Sequence, residues 1–193
     1  MDGSKSDERC NAGRRSVIGV IGPARAEYPA SAGLVARLER DAEAVGRLLA
    51  EAGAVVMTGG TDGVMEASSR GAKLAGGLTL GTPGRVAGSS NRFVDIEILT
   101  PVDVGDFLFA GCWTCNAFIV FPGGAGTLAE LCLAYRLKKP VVIMQGYDQS
   151  YDRLVGGFLD NGKSVKVLGA SSPKEAVANA LRAAQDINRP GEL

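Results

Sequence analysis

The sequence contains no histidine at all. This absence excludes catalytic triads based on histidine, and it removes the commonest ligand of zinc and iron sites. Any acid–base chemistry must therefore use carboxylates, lysine, tyrosine or cysteine. We accordingly predict no metal site.

An excess of charge of one sign is also lacking, since Lys plus Arg and Asp plus Glu each number 21. No overall field attracts nucleic acid or anionic lipid, and no apolar run approaches the ~20 residues that span a bilayer. The N-terminal stretch MDGSKSDERCNAGRR lacks the apolar core of a signal peptide. We predict a cytoplasmic protein that binds neither nucleic acid nor membranes, with its cysteines reduced.

Cysteine is scarce, with four residues, and two of them form the CxxC of Cys112 and Cys115. A thioredoxin-like site would place this motif at a helix N-terminus after a strand, whereas here it precedes a predicted strand. With Cys132 and Cys10 the pair also has too few partners to favour zinc. The pattern favours buried structural cysteines over a redox or metal role.

Apolar runs alternate with amphipathic segments along the chain, and hydrophobic residues make up 46% of it. The runs predict strands at 16–21, 54–57, 78–81, 94–99, 117–121, 140–144 and 164–168. Helices are predicted from about Leu34 to Gly53 and at 64–74, 104–114, 125–137, 149–160 and 173–186. This alternation predicts one doubly wound, Rossmann-like α/β domain at 15–187, with about six or seven mainly parallel strands. Residues 1–14 are predicted to be a disordered lead-in and 188–193 a tail.

Two predicted strands end in glycine-rich turns, TGGTDG at 58–63 and PGGAGT at 122–127, and Gly22-Pro23 follows the first strand. Ligands of such sheets bind outside the carboxyl ends of the strands, and helix N-termini there favour phosphate. The alternative interpretation is structural: the glycines only permit tight turns between strand and helix. We predict phosphate contacts at Gly22, Gly59, Gly60, Gly63, Gly123, Gly124, Gly126 and Thr127.

The stretch PGGAGTLAE matches the PGGxGTxxE motif of the LOG family of cytokinin-activating phosphoribohydrolases. The runs VIGVIGPARA, GGTDGVM with RGAKLAGG, and LKKPVVIM resemble the molybdenum cofactor carrier proteins and their bacterial relatives in the same superfamily. The likeness covers about residues 15–185. It implies a homodimer or higher homo-oligomer, for which Trp113, Phe107 and Phe109 offer a surface if they are not core residues.

The resemblance to LOG enzymes implies cleavage of the N-glycosidic bond of a nucleoside 5′-monophosphate, with Glu130 acting beside an upstream arginine. That arginine is expected near 106–111, where the chain reads DFLFAG and has no cation. Arg25 or Arg92 would have to replace it. Without it, catalysis loses a charge that stabilises the transition state.

The resemblance to carrier proteins implies a site that holds molybdenum cofactor as cargo, through its pterin and terminal phosphate, with no cofactor required. Arg25, Arg92, Arg85 and Lys73 are the candidate cations. We predict carrier-like binding of a phosphorylated ligand with little or no catalysis, and the phosphoribohydrolase as the alternative. A binding protein similar to DprA is a weaker third hypothesis, because the chain lacks a basic stripe.

Glu130 also has a structural interpretation. Thr127 and Glu130 have the S/T-x-x-E spacing of a capping box, which predicts that they close the N-terminus of the motif helix. Asp62 is likewise predicted to cap the helix that follows the first turn. On this hypothesis Glu130 as a catalyst is the less favoured role.

Overall fold

The computed structural model describes residues 14–100 and 111–187. Seven strands form one sheet in the order β4-β3-β2-β1-β5-β6-β7, and every neighbouring pair is parallel. This confirms the predicted doubly wound α/β fold. The strands are β1 Val17–Ile21, β2 Val55–Thr58, β3 Thr79–Gly84, β4 Ile96–Leu99, β5 Ala117–Val120, β6 Val141–Met144 and β7 Leu168–Ala170.

The helices connect these strands. They are the 3₁₀ turn Arg25–Glu27 and helices α1 Ala32–Glu51, α2 Val64–Leu74, α3 Cys112–Thr114, α4 Ala125–Arg136, α5 Gln149–Asp152 and α6 Pro173–Ile187. Of the helix predicted at 104–114, residues 104–110 lie outside the described residues, and the rest contains α3.

The prediction is wrong between α5 and β7. The helix predicted at 149–160 ends at Asp152, and the last strand begins at Leu168 instead of 164. Gly156 has a φ of 81°, and its N–H donates to the carbonyl of Val167 at 2.9 Å. The N–H of Val167 in turn donates to the carbonyl of Gly157 at 3.0 Å. These bonds use backbone groups that a longer helix or strand would need.

The sheet has a hydrophobic core on each face. Along β5, Ala117 and Ile119 pack in one core, and Phe118 and Val120 pack in the other. This two-residue period is the geometry of a strand buried on both sides, which explains why the run is apolar throughout. Buried side chains of α1, α2 and α6 complete the first core, and those of α3 and α4 contribute to the second.

The winding of the sheet reverses at β1. The chain proceeds from β1 outward through β2 and β3 to β4, then returns to add β5 on the other side of β1. In sheets of this kind, a crevice opens at the carboxyl ends of the two strands where the direction changes. Gly22 follows β1 and Gly123 follows β5, so these glycines lie at the crevice.

Candidate functional site

The turn after β1 is attached to the first glycine-rich turn. The N–H of Arg25 donates to Asp62 Oδ1 at 2.9 Å, and the N–H of Val64 donates to the carbonyl of Pro23 at 3.2 Å. Asp62 therefore joins the turn after β2 to the turn after β1. The prediction that it caps α2 is wrong, because the N-cap residue is Gly63 and has no side-chain cap.

The first glycine-rich turn is supported by the loop after β3. Asn91 donates to the carbonyl of Gly60 from its backbone N–H at 2.7 Å and from Nδ2 at 3.0 Å. Its Nδ2 also donates to the carbonyl of Thr61 at 2.7 Å. The amide of Gly60 is occupied as well, because it donates to Thr58 Oγ1 at 3.0 Å. No sequence pattern indicated Asn91, which contacts a turn about thirty positions away along the chain.

The second glycine-rich turn leads into α4, whose N-terminus is open. The helix begins at Ala125 after the N-cap residue Gly124, which makes no side-chain cap hydrogen bond. The N–H groups of a first helical turn have no partners within the helix. A Cβ built on Gly126 would meet no atom within 4 Å. This turn therefore offers backbone donors and space to an anion.

The capping box predicted for Thr127 and Glu130 is wrong. Because α4 begins at Ala125, Thr127 lies inside the first turn instead of at the cap position. Its side chain is buried, and its Oγ1 lies 2.4 Å from the position that a Cβ on Gly123 would take. The carbonyl of Gly123 accepts a hydrogen bond from the hydroxyl of Tyr151 at 3.1 Å, a contact that the sequence did not indicate.

Glu130 is a partly buried carboxyl group on the second turn of α4. Burial raises its pKa to about 8, and the negative charge of Glu27 contributes to the same shift. The group is therefore mainly protonated at neutral pH. A raised pKa at a cleft is a common property of functional carboxyl groups, although structural networks also produce it.

Glu27 is the acidic residue at this site that sequence reasoning missed. It ends the 3₁₀ turn after β1, and its Oε2 lies 3.5 Å from the position of a Cβ built on Gly124. The helix dipole stabilises a negative charge at this end of α4. An incoming anion is therefore expected to lie toward Gly126, away from the carboxylate.

The predicted cations have partners within the described residues. The Arg25 guanidinium donates to Glu66 at 3.0 Å, and Lys73 forms an ion pair with Asp95. Arg92 lies over the ring of Phe93 at 4.8 Å, and Arg85 is exposed on the loop after β3. Of these four, only Arg25 belongs to the turn that follows β1. The position expected for the LOG arginine lies mostly outside the described residues.

The cysteines divide into two groups. Cys112 and Cys115 are buried as predicted, and desolvation raises the pKa of Cys112 to about 12 and raises that of Cys115. Cys132 is exposed, so the prediction of burial is wrong for that residue, and Cys10 lies outside the described residues.

Of the three aromatic residues proposed as an oligomer surface, Trp113 is 67% exposed. Phe107 and Phe109 lie outside the described residues. Among residues 14–100 and 111–187, no group of three or more Cys, Asp or Glu side chains is arranged to hold a metal ion.

The model of the SLOG cluster4 family matches residues 15–177, most of the chain. The chain belongs to the SLOG cluster4 family. This membership confirms the resemblance to the LOG-like superfamily. No helix of this SLOG cluster4 protein, in the part that the structure describes, is long and apolar enough to cross a membrane.

Known proteins resemble the chain over most of their length. An uncharacterized protein of Archaeoglobus fulgidus is 40% identical over 111 residues, which are 54% of this chain and 73% of that protein. The molybdenum cofactor binding protein of Rippkaea orientalis has a TM-score of 0.73 and 31% identity, covering 92% of this chain and 100% of its own. The molybdenum cofactor carrier protein of Chlamydomonas reinhardtii has a TM-score of 0.72 and 28% identity, covering 89% and 99%.

Proposed function

We propose that this SLOG cluster4 protein binds a phosphorylated small molecule, molybdenum cofactor or a nucleotide, and carries it without cleaving it. The observation that supports this best is the open N-terminus of α4 beside the crevice between β1 and β5. Its first turn carries no side-chain cap, and Gly126 has free space around it. A helix N-terminus of this kind attracts phosphate through its N–H groups and its dipole.

The glycines have different roles in this proposal. Gly126 and Thr127 contribute backbone donors to the phosphate, while Gly22, Gly59 and Gly124 line its approach. Gly60 and Gly63 hold the turns in shape, since the amide of Gly60 is occupied and Gly63 packs on Pro23. Gly123 is a structural residue as well, because a Cβ at this position would collide with Thr127 Oγ1 and would stand 3.1 Å from Pro23 Cδ.

The two solved structures whose names state molybdenum cofactor binding or carriage support the choice of cargo. A carrier needs to bind and release an anion, and backbone amides with one nearby cation are sufficient for that. Arg25 is the cation of choice, because it follows β1 directly and requires only that its exposed pair with Glu66 opens. A homo-oligomer in the cytoplasm remains a prediction.

The test is calorimetric titration of the full chain with molybdopterin, AMP and inorganic pyrophosphate. We expect binding by the wild type, and a loss of about tenfold or more in Gly126→Asp, which sets a carboxylate against the phosphate. Gly126→Asn is the matched control with the same shape and no charge, and it should keep most of the affinity. An acidic residue in a first helical turn does not destabilise the helix, so thermal unfolding should be unchanged or improved. Wild-type protein that binds none of the three ligands contradicts the proposal.

A phosphoribohydrolase is the second candidate, favoured by the raised pKa of Glu130. A carboxyl group with a pKa of about 8 is protonated at pH 7 and can serve as a general acid toward a departing base. Incubation with AMP should then release adenine and ribose 5-phosphate, and Glu130→Gln should abolish the release. Carrier activity predicts bound AMP that stays intact in both proteins.

A further inference from the structure

A small cleft opens beside the crevice on the side of α1. Apolar side chains of Pro29, Leu34, Leu38 and Pro122 line it, together with the acidic residues Glu27 and Asp148. Its volume is about 140 Å³. Pockets that enclose a whole drug-sized ligand begin at ~300 Å³, so this Glu27 cleft has room for one ring system and not for a complete nucleotide.

Glu27 is the carboxylate of this cleft that has both oxygens available. Asp148 has only Oδ2 unused, because its Oδ1 accepts from the N–H and the hydroxyl of Ser150, both at 2.7 Å. No hydrogen bond or ion pair engages the Glu27 carboxylate within residues 14–100 and 111–187. The backbone around it is held, since the N–H of Glu27 donates to the carbonyl of Ala24 at 2.9 Å and the N–H of Arg25 to Asp62. The cleft thus presents a positioned carboxylate with unused lone pairs.

A carboxylate accepts two parallel hydrogen bonds from a pair of neighbouring N–H donors. Adenine and cytosine offer an amino group beside a ring nitrogen that is itself an acceptor, and uracil offers one N–H between two carbonyl groups. Guanine and pterin share an edge on which a ring N–H stands next to an amino group. Only this 2-amino-4-oxopyrimidine edge matches both oxygens of a carboxylate without repulsion.

We propose that the Glu27 cleft selects the ring of the ligand, and that Glu27 accepts hydrogen bonds from the 2-amino-4-oxopyrimidine edge of a pterin or a guanine. The inference rests on the proposed phosphate site, because it needs the ligand to be anchored at the neighbouring turn that contains Gly123. The closeness of Glu27 to Gly124 supports it, since one ligand can contact the α4 turn and the cleft together. The apolar side chains that line the cleft can pack against the faces of the ring.

The test titrates the full chain with GMP, IMP, AMP and a pterin monophosphate. At least one of GMP and the pterin should bind about tenfold more tightly than AMP, because a hydrogen-bonded carboxylate is worth about one factor of ten or more. IMP keeps the ring N–H and lacks the amino group, so its affinity should lie between those of GMP and AMP if guanine is accepted. Whichever of the pterin monophosphate and GMP binds more tightly identifies the ring, pterin or guanine, that the cleft accepts.

Glu27→Gln should weaken the binding of GMP and the pterin, because its amide nitrogen would place a donor against one of the two donors of their shared edge. AMP should bind the variant at least as tightly as the wild type, because an amide offers one donor and one acceptor to the amino group and ring nitrogen of adenine. Glu51→Gln is the matched control, an identical change at the far end of α1 where Glu51 pairs with Arg47. Equal affinity of the wild type for all four ligands overturns the inference and leaves the phosphate site standing. An equal rise for every ligand in Glu27→Gln also overturns it, because Glu27 would then only compete with phosphate. Binding of none of the four defeats the phosphate site as well.

Discussion

Gly63 lies directly against Pro23, so that the start of α2 and the exit of β1 form one unit. A Cβ built on Gly63 would stand 2.5 Å from the carbonyl oxygen of Pro23 and 2.8 Å from the amide nitrogen of Arg25. The backbone of Gly63 has a φ of 67° and a ψ of −130°, a conformation that residues with a Cβ avoid. The junction of the turns after β1 and β2 therefore depends on glycine at this position for both space and conformation.

Gly63→Ala should lower the free energy of unfolding by more than ~2 kcal/mol, since strain and a clash with backbone atoms add together. Gly76→Ala is the control, because Gly76 also has a positive φ, of 74°, but has nothing within 4 Å of its Cβ position. Urea unfolding of both variants measures the difference. Equal losses in the two variants would show that the contact with Pro23 contributes nothing.

Gly46→Ala should destabilise the protein by about 1–3 kcal/mol or more, because the added methyl group has no space. Its Cβ would lie 1.9 Å from the carbonyl oxygen of Ser68, where α1 and α2 cross. Gly33→Ala in the same helix should instead stabilise by up to ~1 kcal/mol, because Gly33 is exposed with open space around it. Chemical unfolding measures whether the free energy of unfolding falls in Gly46→Ala and rises in Gly33→Ala. A rise in Gly46→Ala would contradict the close contact between α1 and α2 at this position.

Asn91→Ala should weaken ligand binding and lower stability by about 1–2 kcal/mol, because the carbonyl of Thr61 loses its donor. Hydrogen exchange should quicken in the first glycine-rich turn and in the loop around Asn91. Asn179→Ala is a matched change far from the turn, where the side-chain amide donates to the carbonyl of Gly169 at 3.2 Å. It should reduce stability without altering ligand affinity. If both variants bind ligand as the wild type does, Asn91 does not position the turn.

Glu130→Gln should change how stability depends on pH. The pKa of Glu130 is raised from 4.5 to about 8 in the folded protein, so the folded state holds a proton that the unfolded state releases. Stability from this group is therefore fully present below pH 4.5 and is lost progressively as the pH rises to about 8. The variant lacks this loss, so its stability relative to the wild type should improve between pH 5 and 8. Urea unfolding across that range tests the prediction, and parallel curves would show a normal pKa.

Several elements were predicted closely from local pattern. The helix at 64–74 has the predicted ends, and the strand at 117–121 differs from β5 by one residue. The helix lies between Gly63 and Gly76, and the strand is followed by Pro122; such residues end an element whatever packs against it. The segment at 149–160 was predicted wrongly, because its apolar residues follow a helical period while its glycines bond to Val167.

The sequence by itself determined the parallel sheet, the reversal of its winding and the edge at which its glycines gather, because strand burial and glycine turns follow from composition and period. Only the tertiary structure decided what the polar side chains do there. Asp62 binds the amide of Arg25 instead of capping a helix, and Glu130 is a partly buried acid with a raised pKa instead of half of a capping box. Glu27 reaches Gly124 from another part of the chain. Such contacts depend on where the packed elements bring distant residues, which no local propensity encodes.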